Sequence, residues 1–267
     1  MGGFILSIIS LGLLVLGAFY AYPAFPESAA SAATRSGGIF HKLLQGFFEA
    51  QPYIPLWTMF GSVAFSFIST LLVYLFFEKT QSSEILFFGF FIISLSFEFA
   101  RIIIPLRVLF QFPALYLATA SRLLLFSRYF GLFSIFAASI FAAGLGEQKQ
   151  ITIIFIMILA AMIIAINVPV DCLVWDSSLK LINGYDSMFF IVETGVLIIT
   201  VITFFISAYT RSAKEYVFIG IGSFMAITGR SLLIASDSWF TLIPGILILT
   251  VGTWFICSKL HKIYLWF

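Results

Sequence analysis

The stretch ILFFGFFIISLSFEFARIIIPLR, residues 85–107, is apolar over most of its length but carries Glu98 and Arg101 in its second half. A helix that crosses a membrane needs about 20 predominantly apolar residues, and this stretch is long enough. A charge within a bilayer costs free energy to desolvate. The stretch therefore predicts a membrane-spanning helix in which Glu98 and Arg101 face other protein segments rather than lipid.

The composition of the whole chain extends this prediction. Of its 267 residues, 61% are hydrophobic and only 10% are charged, and its mean hydropathy is +1.11. A water-soluble domain would have too little polar surface at this composition. The net charge of +2 is too small to indicate nucleic acid as a partner. We therefore predict an integral membrane protein in contact with the lipid bilayer, with residues 1–267 forming a single transmembrane domain.

Apolar runs long enough to cross a membrane follow one another along the chain, separated by short polar segments. They cover residues 4–22, 55–77, 85–105, 123–145, 151–170, 188–209, 217–235 and 240–258. The pattern predicts an all-α fold, a polytopic helical bundle of about eight transmembrane helices.

Two segments between the runs are apolar in part. Residues 106–122 contain Arg107, Pro113 and Arg122, and we interpret them as an interfacial or re-entrant helix leading into the fourth span, with a ninth short span as the alternative. Residues 23–54 form the longest loop, on the outer side. Its second half places apolar side chains on one helical stripe, which predicts an amphipathic helix on the outer membrane surface, although a plain connection is the alternative. The stripe comprises Ile39, Phe40, Leu43, Leu44, Phe47 and Phe48.

Lysine and arginine near the ends of membrane helices are enriched on the cytoplasmic side. With eight crossings, one side receives Lys79, Lys149, Arg211, Lys214, Lys259 and Lys262. This distribution predicts that both termini, including the short tail 259–267, are cytoplasmic in a cell (inner) membrane, although Arg35, Lys42 and Arg107 fall on the outer side. No basic residue precedes Phe4, which favours an uncleaved first span. Small residues at 28–33 would suit a signal peptidase and leave cleavage as the alternative.

Polar residues within the predicted spans fall at one depth. At a rise of about 1.5 Å per residue, each lies about 20–24 Å from the cytoplasmic surface, in the outer third of a hydrocarbon core about 30 Å thick. A charge that faced lipid there would cost at least about 2 kcal/mol, so we expect these side chains to face the bundle interior and pair. They are Glu98, Arg101, Arg128, Asn167, Glu193 and Arg230.

This layer has two interpretations. It can be a structural ion-pair network that stabilises the packing of the helices. Alternatively, three arginines against two glutamates leave about one positive charge unmatched, and guanidinium groups match carboxylate and phosphate geometry. The layer would then bind a small anion or an anionic lipid head group.

Motifs for catalysis are missing from the sequence. It has no HExxH, GxSxG or Walker A motif, both histidines fall outside the predicted spans, and so does every lysine, so we predict no metal, no Schiff-base pigment and no other cofactor. The outer-side Asp171, Asp176 and Asp186 do not have calcium-loop spacing. We therefore predict a non-enzymatic receptor-like sensor or accessory subunit that works through partner proteins. A transporter or lipid-handling protein for a small anionic substrate is the alternative, and a glutamate-dependent intramembrane enzyme is third.

Overall fold

The computed structural model of the chain describes residues 2–26, 50–77, 82–183 and 186–265. Within these ranges, eight helices are long and apolar enough to cross a membrane, and the prediction of an all-α membrane bundle is confirmed. The predicted amphipathic helix after the first span lies outside the described residues.

The eight spans are built from nine α-helices, because the third span contains two of them. These are α1 (Gly2–Ala21), α2 (Ile54–Phe77), α3 (Ser83–Ser94), α4 (Ile103–Phe110), α5 (Ala114–Ala142), α6 (Gln150–Asn167), α7 (Asp186–Thr210), α8 (Glu215–Ile234) and α9 (Trp239–Leu265). Short 3₁₀ turns follow α1 (Tyr22–Ala24) and precede α6 (Glu147–Lys149). A longer 3₁₀ segment, Leu95–Ile102, joins α3 to α4, so that the third span runs from Ser83 to Phe110.

The prediction of a re-entrant helix or a ninth span at residues 106–122 is wrong. Residues 106–110 instead complete α4, and residues 114–122 form the beginning of α5. The break between them is short: Gln111 adopts a left-handed conformation (φ 51°) that ends α4, and Pro113 caps α5. Both spans are simply longer than predicted, at 28 and 29 residues. Such lengths suit helices that tilt or extend beyond the hydrocarbon core.

Three spans form the centre of the bundle. In the third span, in α5 and in α8, more than half of the most apolar 18-residue stretch of the helix is buried. In each of the other described spans, a third or less of that stretch is buried. The charged residues Glu98, Arg101, Arg128 and Arg230 all belong to these three central spans. The fold therefore places the helices that carry most of the intramembrane charge where lipid does not reach them.

The last two spans, α8 and α9, pack with their backbones in contact. A Cβ atom added at Gly252 would lie 2.6 Å from the backbone nitrogen of Ala226 and 2.7 Å from the carbonyl oxygen of Gly222. Small residues at such positions let two membrane helices approach closely, where van der Waals contact replaces the hydrophobic effect as the driving force. This close pair holds Arg230 of α8 at a fixed position in the bundle.

A β-hairpin joins α6 to α7, where the sequence indicated only a polar loop. Strands β1 (Val170–Trp175) and β2 (Leu181–Asn183) pair antiparallel. At the tip, the Asp176 carboxylate oxygen Oδ1 accepts hydrogen bonds from the backbone N–H of Ser178 at 3.1 Å and of Lys180 at 2.9 Å. An aspartate that bonds to the backbone ahead of it is typical of tight turns. The tip residues Ser178 and Leu179 are buried, so the hairpin packs onto the bundle.

Candidate functional site

Glu98 and Arg101 form an ion pair within the third span. Arg101 Nη1 lies 3.5 Å from Glu98 Oε2, and both side chains are almost fully buried. The 3₁₀ conformation of residues 95–102 aligns them, because side chains at i and i+3 eclipse at three residues per turn. This segment ends just before Pro105, which has no N–H to donate to the carbonyl of Arg101 four residues earlier. The sequence therefore sets both the pair and the local geometry that brings it together.

Arg101 also reaches two backbone carbonyls from other parts of the chain. Its Nη2 atom donates to the carbonyl oxygen of Ser178 at the hairpin tip and to that of Ile234, at 3.2 Å, at the end of α8. A charge-assisted hydrogen bond is stronger than a neutral one. Arg101 consequently connects the third span, the hairpin and α8, and the hairpin covers this end of the charged layer.

A second ion pair joins α5 to α7. Arg128 Nη2 donates to Glu193 Oε2 at 2.6 Å, and Arg128 Nε lies against Glu193 Oε1. Two contacts between a guanidinium and one carboxylate fix orientation as well as distance. Glu193 is the only charged residue between Asp186 and Arg211 in the sequence, so this pair is the main polar link that holds α7 on the bundle.

Arg230 lies in the interior without a carboxylate within ion-pair distance among the described residues. Its Nη1 donates to Ser94 Oγ at 3.1 Å and to the Arg128 carbonyl oxygen at 3.3 Å, and its Nη2 donates to Ser127 Oγ at 3.2 Å. Its guanidinium carbon lies 5.9 Å from the centre of the Phe91 ring, within the range of a cation–π contact. Neutral groups on α3 and α5 thus take the place of the water molecules that would otherwise solvate this buried cation.

Gly131 provides the space for the Arg230 guanidinium. A Cβ atom at this position would collide with Arg230 Nη1 and with Ser94 Oγ. Because Gly131 follows Arg128 on the next turn of α5 and faces the centre of the bundle, a side chain here would displace the guanidinium. The sequence contained this signal as a single glycine in a long apolar helix, but its meaning depends on which residue of α8 packs against it.

The space enclosed by the charged layer is small. A cavity of about 30 Å³ lies between Glu98, Arg101 and Arg128, with Lys180 of the hairpin also on its wall. That volume is close to the share of one water molecule in the liquid, about 30 Å³. Glu98 Oε2 is buried there without a hydrogen bond from any described residue. The cavity therefore has room for water that bridges polar groups, but not for a ligand of the size that small-molecule sites usually hold.

Asn167 does not join the layer. Its side chain is exposed, and its Nδ2 donates to the carbonyl oxygen of Ile163 on the preceding turn of its own helix, at 2.8 Å. Depth alone suggested that it would pair in the interior, but the buried face of α6 is formed by Met157, Ala161 and Ala165. Asn167 lies off that face, and its side-chain amide donates its hydrogen bond to a backbone carbonyl of its own helix instead. The structure brings together the other five members of the predicted layer.

A second polar cluster, at the opposite end of the bundle, was missed from the sequence. Glu84, in the first turn of α3, is buried and accepts a hydrogen bond from Tyr216 Oη at 3.1 Å. Arg211 Nη1 lies 3.7 Å from Glu84 Oε1 and donates to Tyr216 Oη at 3.0 Å, and Arg211 Nη2 donates to the Phe141 carbonyl oxygen at 3.1 Å. In the sequence, Glu84 falls in the polar segment before the third apolar run, and this position is typical of an acidic residue in a first helical turn.

Residues suited to metal ligation do not converge within the described ranges. In them, no three His, Cys, Asp or Glu side chains lie close enough to share a metal ion.

No protein-family model matches the chain, and no curated protein matches it significantly in sequence. Within the described ranges the chain has eight helices long and apolar enough to cross a membrane, buried arginine–glutamate ion pairs, and close helix contacts through glycine. The chain is a polytopic integral membrane protein.

Proposed function

We propose that the protein is a non-enzymatic membrane component, a receptor-like sensor or an accessory subunit, that acts through partner proteins. The observation that carries this proposal is the small volume at the charged layer. Sites for small molecules usually have volumes of about 300–1,000 Å³, whereas the cavity between Glu98, Arg101 and Arg128 has about 30 Å³. The buried charges are better suited to holding helices in place than to holding a substrate.

The contacts of the three arginines support the same conclusion. Arg101 binds Glu98 and two backbone carbonyls, Arg128 binds Glu193, and Arg230 binds two serine hydroxyls and a carbonyl. Each guanidinium is thus engaged by the chain itself. A transporter for a small anionic substrate remains the alternative function, and it would require these contacts to open.

The outer faces of α6 and α7 are the natural place for partner contact. Only 17% of the apolar window of α6 and 11% of that of α7 is buried, the two lowest values among the described spans. Large apolar faces on membrane helices contact lipid or other membrane proteins. A protein that acts through partners would use such faces, and the interior would need no access from either side.

A ligand screen distinguishes the proposed function from the alternative. Purified protein in detergent is heated in the presence of small anions and of soluble phosphate head-group analogues, with Arg128→Gln, Arg230→Gln and the exposed control Lys214→Gln alongside. Without any ligand, we expect the two layer variants to have a lower melting temperature than the wild type and the control to have the same one. We expect no anion to raise the melting temperature of the wild type in a saturable way. A saturable shift that both layer variants lose would establish the transporter alternative instead.

Dependence on partners is tested in native membranes. Chemical crosslinking before solubilisation should give wild-type species heavier than one chain, and Ile202→Trp on the exposed face of α7 should reduce them, whereas Leu13→Trp on the exposed face of α1 should not. Both positions are about half exposed, at 50% and 48%. If only the single chain is recovered after crosslinking, the accessory-subunit proposal fails.

The proposed orientation places both termini in the cytoplasm of a cell membrane. Support comes from the basic residues at the end of the bundle that holds Glu84, namely Lys149, Arg211, Lys214 and Lys262. In a cysteine-free background, Gln111→Cys, at the exposed connection between α4 and α5, should react with a membrane-impermeant thiol reagent on intact cells. Lys214→Cys should react only after permeabilisation, and the reverse pattern would invert the orientation.

A further inference from the structure

A groove far larger than the charged-layer cavity opens at the end of the bundle that holds Glu84. It has a volume of about 590 Å³ and lies between the end of α2 and the beginning of α3, with residues of α1 and of the turn before α6 on its walls. We call it the α2–α3 groove. Along α3 it extends from Ser82 to Ile93, about 16 Å at the helical rise. One leaflet of a hydrocarbon core about 30 Å thick measures about 15 Å, so the groove spans one leaflet.

The lining of the groove changes from polar to apolar along its length. Ser82, Ser83, Glu147 and Gln150 lie at the end near the connecting loops, and the deeper part is lined mainly by the apolar side chains of Phe4, Val73, Phe90 and Ile93, with Thr70 as a polar residue among them. Tyr74 and Leu86 are exposed on its edges, so the groove opens sideways to the surface of the bundle. An opening within a membrane span faces lipid. This arrangement fits a molecule with one polar end and one apolar chain.

Gly89 keeps the middle of the groove open. A Cβ atom added there meets no atom within 4 Å, although the residue lies on the central third span and faces the groove. A larger side chain at position 89 would therefore enter the groove without disturbing the packing around it. Gly195 on α7 also has open space at its Cβ position, but it does not line the groove. The two glycines make a matched pair for substitution.

The charge of the described residues at the polar end favours one class of head group. Of the described residues that line the groove, Glu147 is the only charged one, and it is exposed. A carboxylate attracts an ammonium group and repels a phosphate that carries net negative charge. We propose that the α2–α3 groove binds one acyl chain of a bilayer phospholipid whose ammonium head group is held by Glu147. This site lies apart from the arginine layer, where the sequence suggested an anionic head group.

Native mass spectrometry of the purified protein measures this binding directly. The protein is incubated with equal amounts of phosphatidylethanolamine and phosphatidylglycerol that carry identical acyl chains. We expect the wild type to retain one phosphatidylethanolamine in preference to phosphatidylglycerol. Gly89→Leu should lower its occupancy about tenfold, the loss expected when about 1.4 kcal/mol of binding is removed, and Gly195→Leu should leave it unchanged. Equal occupancy of Gly89→Leu and wild type would overturn the proposal.

The head-group contact has its own test. Glu147→Gln should lower the preference for phosphatidylethanolamine over phosphatidylglycerol about two- to fivefold, since an exposed ion pair contributes up to about 1 kcal/mol. An unchanged preference would show that Glu147 does not hold the ammonium group.

Photo-crosslinking of the wild type does not depend on the folding of any variant. Phosphatidylethanolamine with a diazirine on its acyl chain should label peptides of α2 and α3, chiefly within residues 82–93. Labelling concentrated on α6 or α7 would locate the lipid elsewhere and overturn the proposal.

Discussion

Replacement of Arg128 and Glu193, first singly and then together, measures what the charged layer contributes to stability. The two groups, about 4 Å apart between centres, attract each other by about 4 kcal/mol at an effective dielectric constant of about 20. Their side chains are 23% and 13% exposed, so part of that attraction is offset by desolvation and part is screened. We expect a coupling free energy of about 1–3 kcal/mol, in the range measured for residues in direct contact.

The assay is equilibrium unfolding in mixed micelles by titration with sodium dodecyl sulfate, followed by circular dichroism. Arg128→Met and Glu193→Met should each lower the free energy of unfolding, because each leaves a partly buried charge without its partner. The double variant should be less destabilised than the sum of the two, because no unpaired charge remains. Methionine is chosen because it cannot form a new hydrogen bond with the remaining partner.

The exposed pair Lys262–Glu215 provides the matched control. Its Nζ–Oε1 distance is 2.9 Å, but its side chains are 55% and 26% exposed. Surface pairs contribute about 0–1 kcal/mol. The two single methionine variants of this pair and their double variant should therefore give a coupling free energy below that of the buried pair. If the two couplings are equal, or if neither single variant in the layer is less stable than the wild type, the layer does not stabilise the packing of the helices and our reasoning about it is refuted.

Four further substitutions test particular contacts by the same unfolding assay. Gly131→Ala should lower the free energy of unfolding by about 1–3 kcal/mol, because the added methyl group collides with the Arg230 guanidinium. Gly195→Ala, which has open space at its Cβ, should not lower it. An equal effect of the two substitutions would mean that the guanidinium has room to move. Gly252→Ala should lower the free energy of unfolding by as much or more, because the backbone atoms of α8 cannot move aside as a side chain can. If this variant is as stable as the wild type, α8 and α9 separate freely. Tyr216→Phe should lower the free energy of unfolding by about 1–2 kcal/mol through the loss of its buried hydrogen bond to Glu84, and Glu84→Gln should lower it by removing the charge that faces Arg211. An unchanged stability in both variants would remove the second cluster from the forces that hold α3 to α8.

Some of the charged layer could be predicted by counting along the chain. Depth in a membrane follows from the number of residues between a loop and a side chain, because each helical residue advances by about 1.5 Å. That count placed Arg128, Glu193 and Arg230 at one level with Glu98 and Arg101, and the structure brings these five together. Asn167 lies at the same level but is exposed. The residue count gives only the position of a residue along the helix axis. The direction in which its side chain points around that axis depends on which face of the helix the neighbouring helices cover.

The remaining differences have similar physical causes. The segment 106–122, which holds Arg107, Pro113 and Arg122, is compatible by composition both with the ends of two long helices and with a separate short helix. Its role was decided by the single left-handed residue Gln111. The hairpin after α6 depends on contacts of Ser178 and Leu179 with the bundle, which no local pattern contains.

The sequence by itself determined that this chain is a membrane protein with about eight spans, and it predicted which charges share one level along their helices, because hydrophobic length and helical rise are properties of a single helix. It also determined the Glu98–Arg101 pair, which lies within one segment. The tertiary structure alone decided that Arg128 pairs with Glu193 and that Arg230 packs over Gly131, and it alone opened the groove beside Gly89. Those features depend on which helices are neighbours and on how each is rotated, and in a membrane that choice is made by close packing and polar contacts between helices rather than by hydrophobicity.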